Sequence, residues 1–236
     1  MITTEQNKEI TRYLVAKNLP IDLVLEVKDH MIEQIESMEN VCFEESFEQV
    51  KISWKEELKM VFSFKSPLKK ITAFQKRILN KIENEIFIKT IKLFLPFFIT
   101  SIILTIYNKE LSKNVIFIIY LIISLINAFS LVYFYKINRT INLMRKKSIS
   151  VYQGSSQLFF VGGMYVFIFN LMKFDERCEK FSHSIQSIFN GDFSNISYFS
   201  ILNTYIFIFG WLMGLFYFLN YRKCISELKQ RINLKL

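Results

Sequence analysis

Hydrophobic positions along this chain fall into two regimes. Up to about residue 62 they recur at spacings of three and four; beyond residue 90 they merge into long apolar blocks. In the first regime Thr3 and Gln6 have the spacing of a capping box, and Ile10, Tyr13 and Leu14 then make a short apolar face. Pro20 restarts the chain. From Ile21 to Met38 the positions Val24, Val27, Met31, Ile35 and Met38 form one stripe of an α-helix. After Glu39 and Asn40 the period returns in Phe43, Phe47, Val50, Trp54, Leu58 and Val61, with Glu44, Glu45, Glu48, Lys51, Lys55 and Glu56 on the outer side. Residues 1–62 therefore read as a three-helix module.

The apolar blocks are long enough to cross a bilayer. Val115 to Tyr135 holds 21 consecutive residues without a charged side chain, and at ~1.5 Å rise per residue such a helix matches a ~30 Å hydrocarbon core. Residues 91–107 form a second span, with Pro96 expected to kink it and Lys89 and Lys92 placed to snorkel at its inner edge. Residues 151–172 and 196–221 supply two more, the former weakened by the polar run Gln153 to Gln157. Between module and spans, residues 63–90 set Leu68, Ile71, Phe74, Ile78 and Ile82 against Lys65, Lys69, Lys70, Lys76, Arg77, Lys81 and Lys89. This basic amphipathic helix, opening at Ser66-Pro67, either lies on an anionic leaflet or runs straight into the first span. The expected fold is all-α, a small cytosolic three-helix domain followed by a four-helix transmembrane bundle and a basic tail over residues 222–236.

Charge orients this arrangement. Seven Lys/Arg lie in residues 63–90, five in 136–147 and five in 222–236, against two in 108–114 and three in 173–192. The positive-inside rule then puts both termini in the cytosol, which four spans satisfy. The N-terminus has no apolar signal region, so no cleaved targeting peptide is expected. Abundant Ile, Lys, Asn and Phe fit an AT-rich bacterial genome, hence a multi-pass protein of the bacterial inner membrane with the lipid bilayer as its first partner. The net charge of +9 sits beside the membrane: residues 1–62 carry seven Lys/Arg and thirteen Asp/Glu, a balance of −6 that argues against nucleic-acid binding by the module.

One stretch has a family likeness. Glu26-Val27-Lys28-Asp29-His30-Met31, followed by Glu44-Glu45-Ser46-Phe47-Glu48-Gln49-Val50, resembles the small helical module preceding membrane segments in many bacterial proteins, the permease-prefix or HAAS signalling-associated type. There a Glu-Leu-x-x-His-Leu helix is followed by a Glu-Glu-Ala-rich helix closing on Leu-Gly. The likeness covers roughly residues 10–60; Trp54-Lys55 stands where Leu-Gly is expected and Ser46 where Ala is usual. It implies a cytosolic signalling or interaction module rather than a catalytic domain.

Candidate chemistry is sparse. His30 has Glu26 and Glu33 on its helix face, yet one imidazole without a second His or Cys is poor metal chemistry, and a packing role is expected. Asp175, Glu176, Glu179 and His183 read as a solvated loop face. Cys42, Cys178 and Cys224 have no CxxC spacing and read as unpaired thiols. There is no P-loop, GxGxxG, HExxH or GxSxG, so catalytic, cofactor and metal residues are assigned to none. The span interiors carry Ser, Thr, Asn and Gln but no charge, which suits hydrogen bonding between helices more than a solute path. Ser124 and Asn127 are candidate packing residues of this kind. Gly210 and Gly214 form a GxxxG pattern suited to packing in the chain's own bundle or to a homo-oligomer face. The exposed face of the third helix, Glu44, Glu45, Glu48 and Lys51, is the candidate surface for a cytosolic protein partner. The expected function is non-enzymatic, in signalling, regulation or assembly; the alternative is a small transporter or permease subunit working through its spans.

Overall fold

In the computed structural model the chain is predominantly helical, and residues 2–38, 41–63, 70–137, 149–166, 168, 173–193 and 196–232 are described. They divide into two compact units. The first takes in the N-terminal residues to Asn84, the segment ending at Val151, and the chain from Cys224 onward; the second holds residues from Glu85 and from Tyr152 to Lys223.

The first unit is built on three helices, α1 (Thr4–Val15), α2 (Ile21–Glu36) and α3 (Phe43–Ser53). Thr3 caps α1: its hydroxyl accepts from the Gln6 N–H, and the Gln6 side chain accepts in return from the Thr3 N–H. Asn18, at φ 56°, turns the chain out of that helix in the left-handed region that Asn tolerates. The stripe of α2, Val24, Val27, Met31 and Ile35, lies in a core shared with Ile10, Leu14, Phe47, Val50 and Leu58. Tyr13 meets Phe47 edge-on at 5.9 Å, and Lys51 lies 4.0 Å over the Phe47 ring.

Periodicity carries the third helix to Val61, but α3 stops at Ser53. Turns follow, which bring Leu58 into the core, and Met60–Val61 (β1) pairs antiparallel with Ile71–Thr72 (β2). This small ribbon puts Ile71 on a strand instead of a basic helix. The start expected at Ser66-Pro67 lies outside the described residues. The Thr72 hydroxyl accepts from the Gln75 N–H at the start of α4 (Ala73–Tyr107). Phe74 enters the module core beside Trp54, and Arg77 pairs with Glu57. Helix α4 is unbroken from here to Tyr107, Pro96 included, so the basic stretch runs on into the first apolar block.

The second unit contains the remainder of α4, then α5 (Lys109–Tyr133), α6 (Gln157–Tyr165), α7 (Phe174–Phe189) and most of α8 (Tyr198–Ile232). Helices α4, α5 and α8 are long and apolar enough to cross a membrane. Only Asn108 separates α4 from α5, and its side chain caps α5 by accepting from the Leu111 N–H. Residues 109–114, which lie between the expected spans 91–107 and 115–135, are thus the first turns of α5. Ile116, Tyr120, Ile123, Asn127 and Ser130 make its buried stripe, at alternating steps of four and three, while Leu125 and Phe129 face outward. Part of the expected span 151–172 lies outside the described residues; its described helix is α6. Residues 174–189, expected as a polar connection, form α7, whose Phe174, Cys178, Phe181 and Ile185 are buried at steps of four, three and four.

Cavity formation should separate core from surface in the first unit. Phe47→Ala is expected to cost about 3–5 kcal/mol, and Ile52→Ala, at an exposed site, no more than about 0.5 kcal/mol. Hydrogen exchange of the α1–α3 amides in the full chain checks both.

Candidate functional site

The outer face of α3 presents Glu44, Glu45 and Glu48 to solvent. Lys51 is committed to packing: its ammonium donates to Glu48 at 2.6 Å while lying over Phe47 and Tyr13. The available chemistry of this face is therefore acidic. Ser46 and Trp54 have structural work here. The Ser46 hydroxyl, on the buried side of α3, donates to the Cys42 carbonyl, and the Trp54 indole N–H donates to Gln34 on α2 at 2.8 Å.

His30 does not pack in the core. It is exposed on α2, its Nδ1 3.8 Å from the Glu33 carboxylate. His183 is exposed on α7, Nδ1 3.4 Å from the Ser187 hydroxyl, and lines an open cleft of about 330 Å³ with Lys109, Glu179 and Lys180. Glu176 pairs with Lys180 at 2.6 Å and Asp175 with Lys113 at 2.7 Å. Hydrogen bonding to Lys180 holds the Glu176 carboxyl below its usual range. Among the described residues no three His, Cys, Asp or Glu side chains gather as a metal site would require.

The polar side chains of the apolar helices largely answer one another. Ser101 and Tyr205 share a hydrogen bond of 2.8 Å between α4 and α8, Thr105 and Ser112 one of 2.7 Å across the α4–α5 corner, and Tyr165 donates to Asn203 at 2.7 Å. Ser124 donates to the Tyr120 carbonyl of its own helix. Asn127 donates to the Ile123 carbonyl, while its Oδ1 is buried without a partner among the described residues. The Asn127 amide fills the space over Gly163. Tyr205 was not singled out by sequence; its ring meets Phe94, Phe98 and Phe181, and nothing in the spacing distinguishes it from the other aromatics of α8.

The two glycines of the GxxxG pattern differ. A Cβ on Gly214 would overlap the Phe159 backbone nitrogen, so α6 and α8 touch backbone to backbone there. A Cβ on Gly210 meets nothing within 4 Å. The pattern is used inside the chain at one position and left open at the other.

Compared with known proteins, the chain matches no family model, no curated protein and no solved structure.

Gly214→Ala should destabilise the apolar unit by about 1–3 kcal/mol and Gly210→Ala by no more than about 0.5 kcal/mol, read as thermal stability in detergent. Equal damage from both would point instead to a dimer face using both glycines. Burial pushes the Cys178 thiol up to about 12, whereas Cys42 is exposed. At pH 7.5 a maleimide should label Cys42 rapidly and Cys178 only after denaturation, as peptide mapping would report.

Proposed function

We propose that this chain is a bacterial inner-membrane protein that acts non-enzymatically, in signalling, regulation or assembly, through a cytosolic helical module presenting an acidic face. The observation that carries the reading is the division of labour between the two units. The first has a hydrophobic core of its own and leaves Glu44, Glu45 and Glu48 exposed, while the polar groups of the apolar unit are largely engaged in helix contacts. Among the described residues those contacts favour helix packing over the transport alternative. The likeness of residues 10–60 to permease-prefix and HAAS-type modules points the same way.

Parity supports a four-span topology with both ends in the cytosol. The start of α4, residues 149–151 and the end of α8 all belong to one unit. If α4, α5 and α8 each cross the bilayer once, the chain between residues 152 and 197 must cross it as well, so that α8 can return to the side it ends on. The basic flanks assign that side to the cytosol. A partner for the acidic face would carry Lys/Arg around an apolar centre, since charge complementarity governs encounter while burial governs affinity.

Affinity capture from native membranes tests the reading. The double substitution Glu45→Lys with Glu48→Lys should abolish recovery of a cytosolic partner while the protein accumulates normally in the membrane. Undiminished capture by the double variant would remove the acidic face from the mechanism.

A further inference from the structure

Where α4 ends, three helices enclose an apolar groove of about 250 Å³. Ile102 and Ile106 of α4, Ile185 and Ile188 of α7, and Ile201 and Tyr205 of α8 are among its walls. Tyr205 lends its ring, since its hydroxyl is shared with Ser101. Helix α7 is tied to both neighbours here: the Gln186 side chain donates to the Thr105 carbonyl at 3.4 Å, the Ser200 hydroxyl donates to the Arg177 carbonyl at 3.3 Å, and Phe181 meets Tyr205 at 5.5 Å. Those ties hold the groove in shape for an occupant.

The cleft around His183 adjoins this groove along all three walls. Lys109 follows Ile106 by three residues across the α4–α5 corner, Ser184 directly precedes Ile185, and Ser197 lies one helical turn ahead of Ile201. One end of the combined site is thus hydrocarbon-like, and the other carries two ammonium groups, an imidazole and the Glu179 carboxylate. The change from one to the other falls where the apolar block of α4 stops, at Tyr107 and Asn108. Tyr107 and Tyr198, 85% and 67% exposed, flank that level on α4 and α8, the place tyrosines take where hydrocarbon meets head groups.

We propose that groove and cleft together seat one phospholipid of the surrounding bilayer, with a zwitterionic aminophosphate head group. An acyl chain fills the groove, the phosphate lies at Lys109 and Lys180, and the head-group ammonium lies at Glu179. Lipid is the occupant because α4 and α8, which wall the groove, are long and apolar enough to cross a bilayer, so acyl chains are what surrounds them. Charge selects the head group. Glu176 pairs with Lys180 at 2.6 Å, so with Glu179 two carboxylates balance the two ammonium groups, and a head group carrying both signs matches them better than a net anion.

An acyl chain gains little by leaving other acyl chains for an apolar wall. Retention therefore rests on the fit of the groove and on the head-group contacts, each lysine contributing about a fivefold factor near a lipid phosphate. The seat lies wholly in the second unit, and its failure would leave the acidic face of α3 untouched.

The test is native mass spectrometry of the detergent-solubilised full chain with dioleoyl phosphatidylethanolamine added in graded amounts. The parent should retain one lipid, and Lys109→Gln with Lys180→Gln, both exposed sites, should weaken retention more than tenfold. Ile201→Trp, which fills the groove from a half-buried position, should abolish it, while Ile99→Trp, 48% exposed on the same α4 outside the groove lining, should leave it unchanged. Thermal unfolding in detergent checks that each variant is folded; should Ile201→Trp not fold, the double lysine variant decides alone. No lipid retained by the parent would overturn the seat. So would equal retention by the parent and the double lysine variant, or equal loss in Ile99→Trp and Ile201→Trp, either of which would describe annular lipid without a site.

Discussion

Burial of the α2 stripe is the interaction on which the first unit depends. Helices of 11 to 16 residues such as α1, α2 and α3 are marginal in water by themselves. They persist because Leu23, Val24, Val27, Met31 and Ile35 are covered by α1 on one flank and α3 on the other, each full burial contributing about 1.5–3 kcal/mol. The ribbon β1–β2 serves the same core, since it turns the chain so that Phe74 can close over Trp54. The acidic residues of α3 stay in water because their neighbours at the next step of the period, Phe47 and Val50, occupy the interior.

In the second unit that driving force is absent between helices, because lipid is as apolar as the side chains it would replace. Association there rests on close approach and on polar groups that find one another. Gly214 admits the α6 backbone, the amide of Asn127 fills the gap over Gly163, and Ser101, Thr105 and Asn203 each reach a hydroxyl. The outward faces of α4, α5 and α8, rich in Ile, Leu and Phe, carry the membrane preference but no specificity.

Much of this was legible in the sequence wherever one periodicity ruled. The α2 stripe, the cap at Thr3 and the apolar blocks of α4, α5 and α8 are read from spacing alone. Legibility failed where two demands shared a segment. Trp54, Leu58 and Val61 keep helical spacing although the chain has left the helix, because turns that bury Leu58 mimic the period. Phe174, Cys178, Phe181 and Ile185 had the spacing of a helix face all along, but their charged neighbours made the stretch read as a connection. Lys51 shows the same limit for the candidate surface: by pattern it belongs with the exposed charges, and only three dimensions reveal its stem and ammonium spent on Phe47. Asp22, which accepts from the distant Val151 N–H at 3.0 Å, gave no signal at all, since an acid in the first turn of a helix ordinarily needs no explanation beyond the dipole.

Two contacts between α2 and the end of α8, Cys224 with Asp22 and Arg231 with Asp29, impose an order in time. Residues that touch there are separated by 202 positions, which at ribosomal rates of ~5–20 residues per second is an interval of about 10–40 s. Throughout that interval the N-terminal helices are complete while Asp22 and Asp29 wait for these partners, which arrive only after every apolar helix described here has been synthesised. The first unit therefore completes its own long-range contacts only after the helices of the second have been made, although its core helices come first in the chain.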